Sequence, residues 1–420
     1  MKRTVLLVAL TVVTLVASAC GRGDETGGGA REGTEVESGK ASGEITVWAM
    51  GTEGEKLSVL AEDFMEENPD ATVTVTPVPW DGAHSKLATA IAGRQTPDVT
   101  MLGTTWVGEF AKTGALDVVP PDLVAEDDFF PGAWETGVVD GTSYSVPWYV
   151  ETRLLFVNKA VAEKAGVTEP PTTWDGLKQA VRDLRERGGA RWGTYLQPGQ
   201  MGAWQTFMPF VWQNGGEIHD GERFRLDSPE VAEAVAYYQS FYDEGLSTRN
   251  RLREGEAEPK FISGEIASFV SGPWHIGLLD ELGGKGEYEV WPMPSGSGEY
   301  TSFIGGSNLS VFENAKNRDG AWKFVSYLTR PEVQVKWYQT VNDLPSVAAA
   351  WDDPVLAGDP LLATFGDQLG VAKAPPPIPT WEQIAAGVDT ELEKVAKGTT
   401  SPEDAAKAMQ AHATSIGTGG

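Results

Sequence analysis

The chain is poor in cysteine, histidine and positive charge: its 420 residues include one Cys, four His and 33 Lys+Arg against 60 Asp+Glu, a formal charge of −27. A single cysteine, Cys20, permits no intramolecular disulfide and no Cys-based zinc site. His84, His219, His275 and His412 are scattered without an HExxH pair, so neither a metal nor any other cofactor is expected. The chain also lacks a P-loop and a G-x-S-x-G elbow, the run Gly305-Gly306-Ser307-Asn308 failing the latter pattern. A negative surplus of this size repels phosphate backbones and argues against nucleic acid as a partner. The apolar run from Val5 to Ala19 has 15 residues, short of the roughly 20 that a spanning helix needs.

What is present suits a globular protein. Apolar residues make up 41% of the chain, and 49 Gly with 26 Pro stay below the level that marks low complexity. The length favours two domains over one. At the N-terminus, Lys2 and Arg3 precede the apolar run, which ends in Ala17-Ser18-Ala19. This pattern predicts an export signal over 1–19. Cys20, followed by Gly21, resembles the lipobox cysteine of bacterial lipoproteins, which carries diacylglycerol. It departs from that pattern in having Ala17 where Leu is usual. From Gly21 to Glu44 there are eight glycines, nine charged residues and no aromatic, so residues 20–43 are expected to be the lipidated Cys and a flexible tether.

The body alternates strand and helix signals. Glu44–Met50 alternates and is β-branched. Leu57, Leu60, Ala61, Phe64 and Met65 then form one helical stripe, ended by Asn68-Pro69, and Thr72–Pro77 alternates again. Further helices are predicted near Ser85–Ala92 and Val107–Thr113, around a short buried strand Asp98–Leu102. This order argues for an α/β domain with a largely parallel sheet, whose ligands sit at the carboxyl ends of strands. Arg153–Asn158 reads as a strand, after which helices predominate: Trp174–Arg187, Glu230–Glu244 behind Ser228-Pro229, Gly320–Thr329, Pro331–Thr340, Trp381–Ala396 and Pro402–Ser415. Phe303–Phe312 returns to strand character.

In colinear order, TVWAM, TPDV, YSVPWYVETRLLFVNK, FISGEIASFVSGPW, SFIGGSNLSVF and the SPEDAAKAM helix resemble family 1 of the extracellular solute-binding proteins, which includes maltose-binding protein. The resemblance covers essentially the whole mature chain. It implies a periplasmic-binding-protein-like fold of the type II, Venus-flytrap kind: two α/β lobes joined by crossing hinge strands. Lobe 1 would be 44–150 plus 308–345, and lobe 2 would be 151–303 plus 349–420. Crossings are expected at Val150–Arg153, Ile304–Ser307 and Leu344–Ala348. The implied function is an extracytoplasmic, lipid-anchored, monomeric binder of di- or oligosaccharides. It would deliver them to the permease of an ATP-driven importer and have no catalytic activity of its own.

A sugar needs aromatic planes for its C–H faces and carboxylates or amides for its hydroxyl rim. Trp322, Trp337 and Trp174 sit at core spacing. Trp274 follows a Gly-Pro turn, Trp381 follows a proline-rich stretch, and Trp204 lies in a Gly-rich approach; relatives place sugar-stacking aromatics at the first two and an aromatic in the region of the third. In lobe 1 the candidates are Thr52 and Glu53 after the first strand, Trp80 and Asp81 after the second, and Thr104, Thr105 and Trp106 after DVTML. The two threonines and displaced Trp depart from the maltose-type pattern. For Glu53 and Asp81 a solvated loop acid is an equal alternative. Tyr149, Glu151, Arg153, Gly306 and Ser307 lie at the predicted crossings. Glu151 is costly there unless paired or ligand-bound, and Arg153, two residues on, is its natural structural partner. Two rival functions remain at this stage: a glycoside hydrolase, and the same fold with a non-sugar solute such as glycerol phosphate or a cation.

Overall fold

The computed structural model describes residues 32–200, 202–253 and 255–419; the expected signal segment and Cys20 lie outside these described residues. Alternation sets strand β1 (Ser42–Met50), with Ile45, Val47 and Ala49 wholly buried. Leu60, Ala61 and Phe64 are buried on the helix Ser58–Glu67, which packs on β2 (Asp70–Val78). There follow β3 (Val99–Gly103), a two-strand pair β4 (Val138–Val139) and β5 (Thr142–Ser143), then β6 (Val146–Thr152) and β7 (Leu154–Asn158). Strands β8 (Ser268–Ser271), β9 (Tyr288–Trp291), β10 (Ile304–Val311) and β11 (Leu344–Pro345) complete the set.

Six strands form one sheet in the order β11-β6-β10-β3-β1-β2, and three form another, β8-β7-β9. Arg153 alone separates β6 in the first sheet from β7 in the second. The expected largely parallel sheet is corrected. Strand β1 runs parallel to β2 and β3, but β10 is antiparallel to β3 and β6, and β11 is antiparallel to β6. The reason is the path of the chain: β3 ends at Gly103 opposite Ser307, so β10, arriving from the second sheet's side, enters where β3 leaves.

Each sheet supports its own core. Val47, Met101, Trp148, Trp322 and Trp337 cluster on the six-stranded side. Leu155, Trp204, Phe207, Tyr238, Trp381 and Val388 cluster on the other, beneath the helices Ala203–Gln213, Pro229–Asp243 and Trp381–Lys397. A third cluster joins the crossing strands through Val150, Leu154, Phe156, Ile304 and Leu344. Ser228 and Ser401 cap their helices through Val231 N at 3.4 Å and Asp404 N at 3.1 Å, as their sequence signatures predict.

Part of the segment expected to be a free tether is docked. Arg318 donates to the carbonyl of Thr34 at 2.8 Å, and Glu37 N donates to Asp319 at 3.0 Å. Val36 packs on the lobe 1 core, and Ala41 is buried. Composition missed this contact because it uses mainly main-chain groups, which every residue carries.

Candidate functional site

The site assembles where β3, β6 and β10 meet. The strand β3 releases the turn Thr104–Trp106 at its carboxyl end, the expected mouth of an α/β sheet. The helix Trp80–Gly93 starts there with Trp80, whose ring meets Trp106 edge-on at 5.6 Å. Strand β6 brings Tyr149 and Glu151. From the other sheet's side come Gly202, Trp204 and Gln205 at the start of their helix, Phe303 before β10, and Glu382 in the first turn of the helix Trp381–Lys397. Together they line a cavity of ≈ 230 Å³. A larger hollow of ≈ 490 Å³ lies around Arg249, Arg251 and Arg253, but among the described residues no aromatic side chain lines it.

Two glycines permit close approaches. At Gly306 φ is +129°, and a Cβ would stand 2.1 Å from the Tyr149 carbonyl oxygen. At Gly272 a Cβ would stand 1.9 Å from the Trp274 ring, which folds back over it.

The polar groups are tied to one another. Tyr149 Oη donates to Glu53 Oε1 at 2.8 Å and accepts from Ser307 Oγ at 3.1 Å. Burial raises the pKa of Glu53, with Glu151 adding to the rise. Burial likewise pushes Asp343, which accepts from Trp337 Nε1 at 3.0 Å, well above the usual carboxylate range, and Glu53 adds to that. Thr105 Oγ1 donates to Glu382 Oε1 across the cavity wall. Burial raises the Glu382 carboxyl too, against the pull of that hydrogen bond and of His84. Asp389 receives Gly202 N at 2.9 Å and Trp204 N at 2.7 Å, and burial outweighs these bonds to push it up to about 7.

Arg153, whose side chain is only 5% exposed, holds Glu151 through Nη1 at 3.1 Å and Gln205 through Nη2 at 2.5 Å. Its guanidinium lies over the Trp274 ring at 4.8 Å and the Phe303 ring at 5.1 Å. Behind it is a second cavity of ≈ 190 Å³, lined among others by Arg153, Gln205, Ser271, Trp274 and His275.

The sequence candidates divide accordingly. Trp80, Thr104, Thr105, Trp106, Tyr149, Glu151, Trp204 and Gly306 line the first cavity, and Arg153 and Trp274 the second. Glu53 and Ser307 stand behind Tyr149. Thr52 is exposed and lines neither cavity. Trp381 is wholly buried and meets Trp204 edge-on at 5.1 Å, so it supports the wall rather than facing the cavity. Asp81 sits in the first turn of its helix; its side chain lies outside the described residues. Glu382, Gln205, Phe303 and Asp343 were missed. Glu382 and Gln205 each follow a tryptophan singled out in the sequence, and that adjacency was the available signal. Among the described residues no His/Cys/Asp/Glu group is arranged to hold a metal, and no helix is long and apolar enough to cross a membrane.

Residues 49–335 match the family of bacterial extracellular solute-binding proteins. The chain is 30% identical to the diacetylchitobiose-binding protein of Streptomyces coelicolor, over 98% of this chain and 97% of the relative. It is 27% identical to the maltotriose-binding protein of Pyrococcus abyssi, over 86% of this chain and 79% of the relative. Among solved structures, the sugar-binding protein MalE of Xanthomonas citri superposes with a TM-score of 0.83 at 32% identity, over 89% of this chain and 97% of that one. The GacH receptor of Streptomyces glaucescens, solved unliganded and with acarbose, superposes with a TM-score of 0.80 at 27% identity, over 90% and 99%.

Proposed function

Because the chain belongs to the bacterial extracellular solute-binding protein family, we propose that it binds a di- or oligosaccharide outside the cytoplasm and delivers it to the permease of an ATP-driven importer. The observation that carries this reading is the chemistry of the ≈ 230 Å³ cavity. Trp80, Trp106, Trp204 and Phe303 offer aromatic surface for the C–H faces of a sugar, while Glu151, Glu382, Gln205 and Thr104 offer partners for its hydroxyls. The sugar-binding relatives support the same class of ligand.

An anionic solute such as glycerol phosphate fits less well. Arg153, which holds the cavity-lining Glu151 and Gln205, is already engaged by them, and Glu382 adds carboxylate to the lining. Glu53, Glu151 and Glu382 are tied to Tyr149, Arg153 and Thr105, so we assign them to binding and positioning rather than to hydrolysis. The lobes would divide at Arg153, before Ile304 and after Pro345. Closure about these crossings would enclose the sugar, with the Thr105–Glu382 bond spanning the two sides. Cys20 would carry the lipid that holds the monomer at the membrane's outer face.

Tryptophan fluorescence and thermal shift over a panel of mono-, di- and oligosaccharides test the proposal. A bound sugar shifts the emission and raises the melting temperature by mass action. A response to non-sugar metabolites alone would refute it.

A further inference from the structure

We infer that the arginine-lined hollow outside the sugar cavity is a second ligand site, built for a small molecule that carries phosphate. It lies beside the carboxyl end of the helix Trp381–Lys397 and the segment that follows the helix Pro229–Asp243. Its polar lining includes Arg249, Arg251, Arg253, Lys397, Gln200 and Glu393. At ≈ 490 Å³ it falls within the roughly 300–1,000 Å³ of small-molecule sites. In a chain with 60 acidic and 33 basic side chains, the run Arg249–Arg253 holds three arginines and no acid.

Two of the four cations already have anionic partners. Arg249 donates to Asp243 Oδ1 at 2.7 Å and also caps the Ala396 carbonyl at the helix end. Lys397 holds Glu393 at 2.6 Å. The other two cations are uncompensated. Arg251 Nη1 donates to the neutral amide oxygen of Gln200 at 3.0 Å, and among the described residues no acceptor meets the Arg253 guanidinium. Glu256 accepts the Arg253 main-chain N–H at 2.9 Å and does not line the hollow. The loop that carries the arginines is fixed on either side of Arg251: Asn250 N donates to Thr248 Oγ1 and Leu252 N to the Tyr195 hydroxyl, each at 3.1 Å. The two free guanidiniums are therefore held in place before any ligand arrives, which lowers the cost of binding.

Guanidinium keeps its charge at any physiological pH, and its planar fork matches the oxygens of phosphate. Two such forks without counter-ions call for a dianion with oxygens for both. Phosphate supplies these, whereas a lone carboxylate has one charge and two oxygens. The remaining volume suits a second phosphate or the alcohol part of a phosphate ester. Arg251 would exchange a neutral acceptor for an anionic one. The overall charge of −27 opposes an extended anionic surface. A small anion inside the hollow is governed instead by the nearest arginines, because salt screens charges beyond about 10 Å.

Isothermal titration calorimetry of the purified protein with pyrophosphate and with acetate, in a phosphate-free buffer, tests this. Pyrophosphate should bind at least about tenfold more tightly than acetate. The double variant Arg251→Gln/Arg253→Gln should weaken pyrophosphate at least about tenfold. Both side chains are exposed and lack a carboxylate partner, so the ligand-free melting temperature should not change. Lys40→Gln/Arg94→Gln removes two exposed charges from the six-stranded side and should leave pyrophosphate affinity unaltered. Absence of pyrophosphate binding, acetate bound as tightly, or equal weakening by the two double variants would overturn the phosphate site. The hollow shares no lining residue with the sugar cavity, so these outcomes are independent of whether a carbohydrate binds.

Discussion

Glu151 shows how one side chain carries two roles at the residue scale. It is half of a buried ion pair and also part of the cavity wall, so replacing it removes a charged acceptor and leaves Arg153 held by Gln205 alone. Glu151→Gln should weaken sugar binding by about 1.5–3 kcal/mol, roughly 10- to 100-fold in Kd, with circular dichroism unchanged; calorimetry checks it. Asp389 supports the cavity from behind and carries a pH signature. Its carboxyl is raised from 3.8 to about 7 by burial. Below 3.8 both folded and unfolded chains hold the proton, and this contribution to stability is fully present. As pH rises toward about 7 the unfolded chain ionises first, so the contribution is progressively lost. Melting temperatures between pH 4 and pH 8 should show that loss in the wild type, and Asp389→Asn should lack this part of it.

At the scale of elements, the crossing of β10 past β6 is held in shape by a glycine that no other residue replaces cheaply. The register between these strands shifts between Ser307 and Asn308, next to Gly306 and its positive φ. Gly306→Ala places a methyl group against the Tyr149 carbonyl in a strained conformation. It should cost about 1–3 kcal/mol from backbone strain, with more from the contact, read as a lower midpoint in urea denaturation. The tryptophans separate by element as well. Those on helices at core spacing, Trp322 and Trp337, are buried, as their periodicity predicts. Trp381 also opens a helix, yet it turns into the core, and the next residue, Glu382, reaches the cavity instead. A helix start leaves the direction of its first side chains to whatever packs on it, and that information is tertiary.

At the scale of the molecule, two sheets joined through short crossings build one cavity whose lining comes from both sides. The charge of −27 keeps such a body off nucleic acid but selects no neutral ligand. The proposed lipid attachment is tested on the whole chain: Cys20→Ser should move the protein from the membrane fraction to the soluble one, as fractionation and immunoblotting would read. Docking of residues 34–41 onto the six-stranded side makes the free part of any leash shorter than its composition implies.

The sequence by itself determined the alternation of strands and helices, through periodicity and turn residues, and the family, through the colinear order of its motifs; it also named most of the residues that line the cavity. Tertiary structure alone decided the antiparallel entry of β10, the burial of Trp381, the reach of Glu382 to Thr105 and the bond from Arg153 to Gln205. Each of these joins residues far apart in sequence or depends on which way a side chain turns. Spacing along the chain encodes neither, since both are set by how the elements pack in three dimensions.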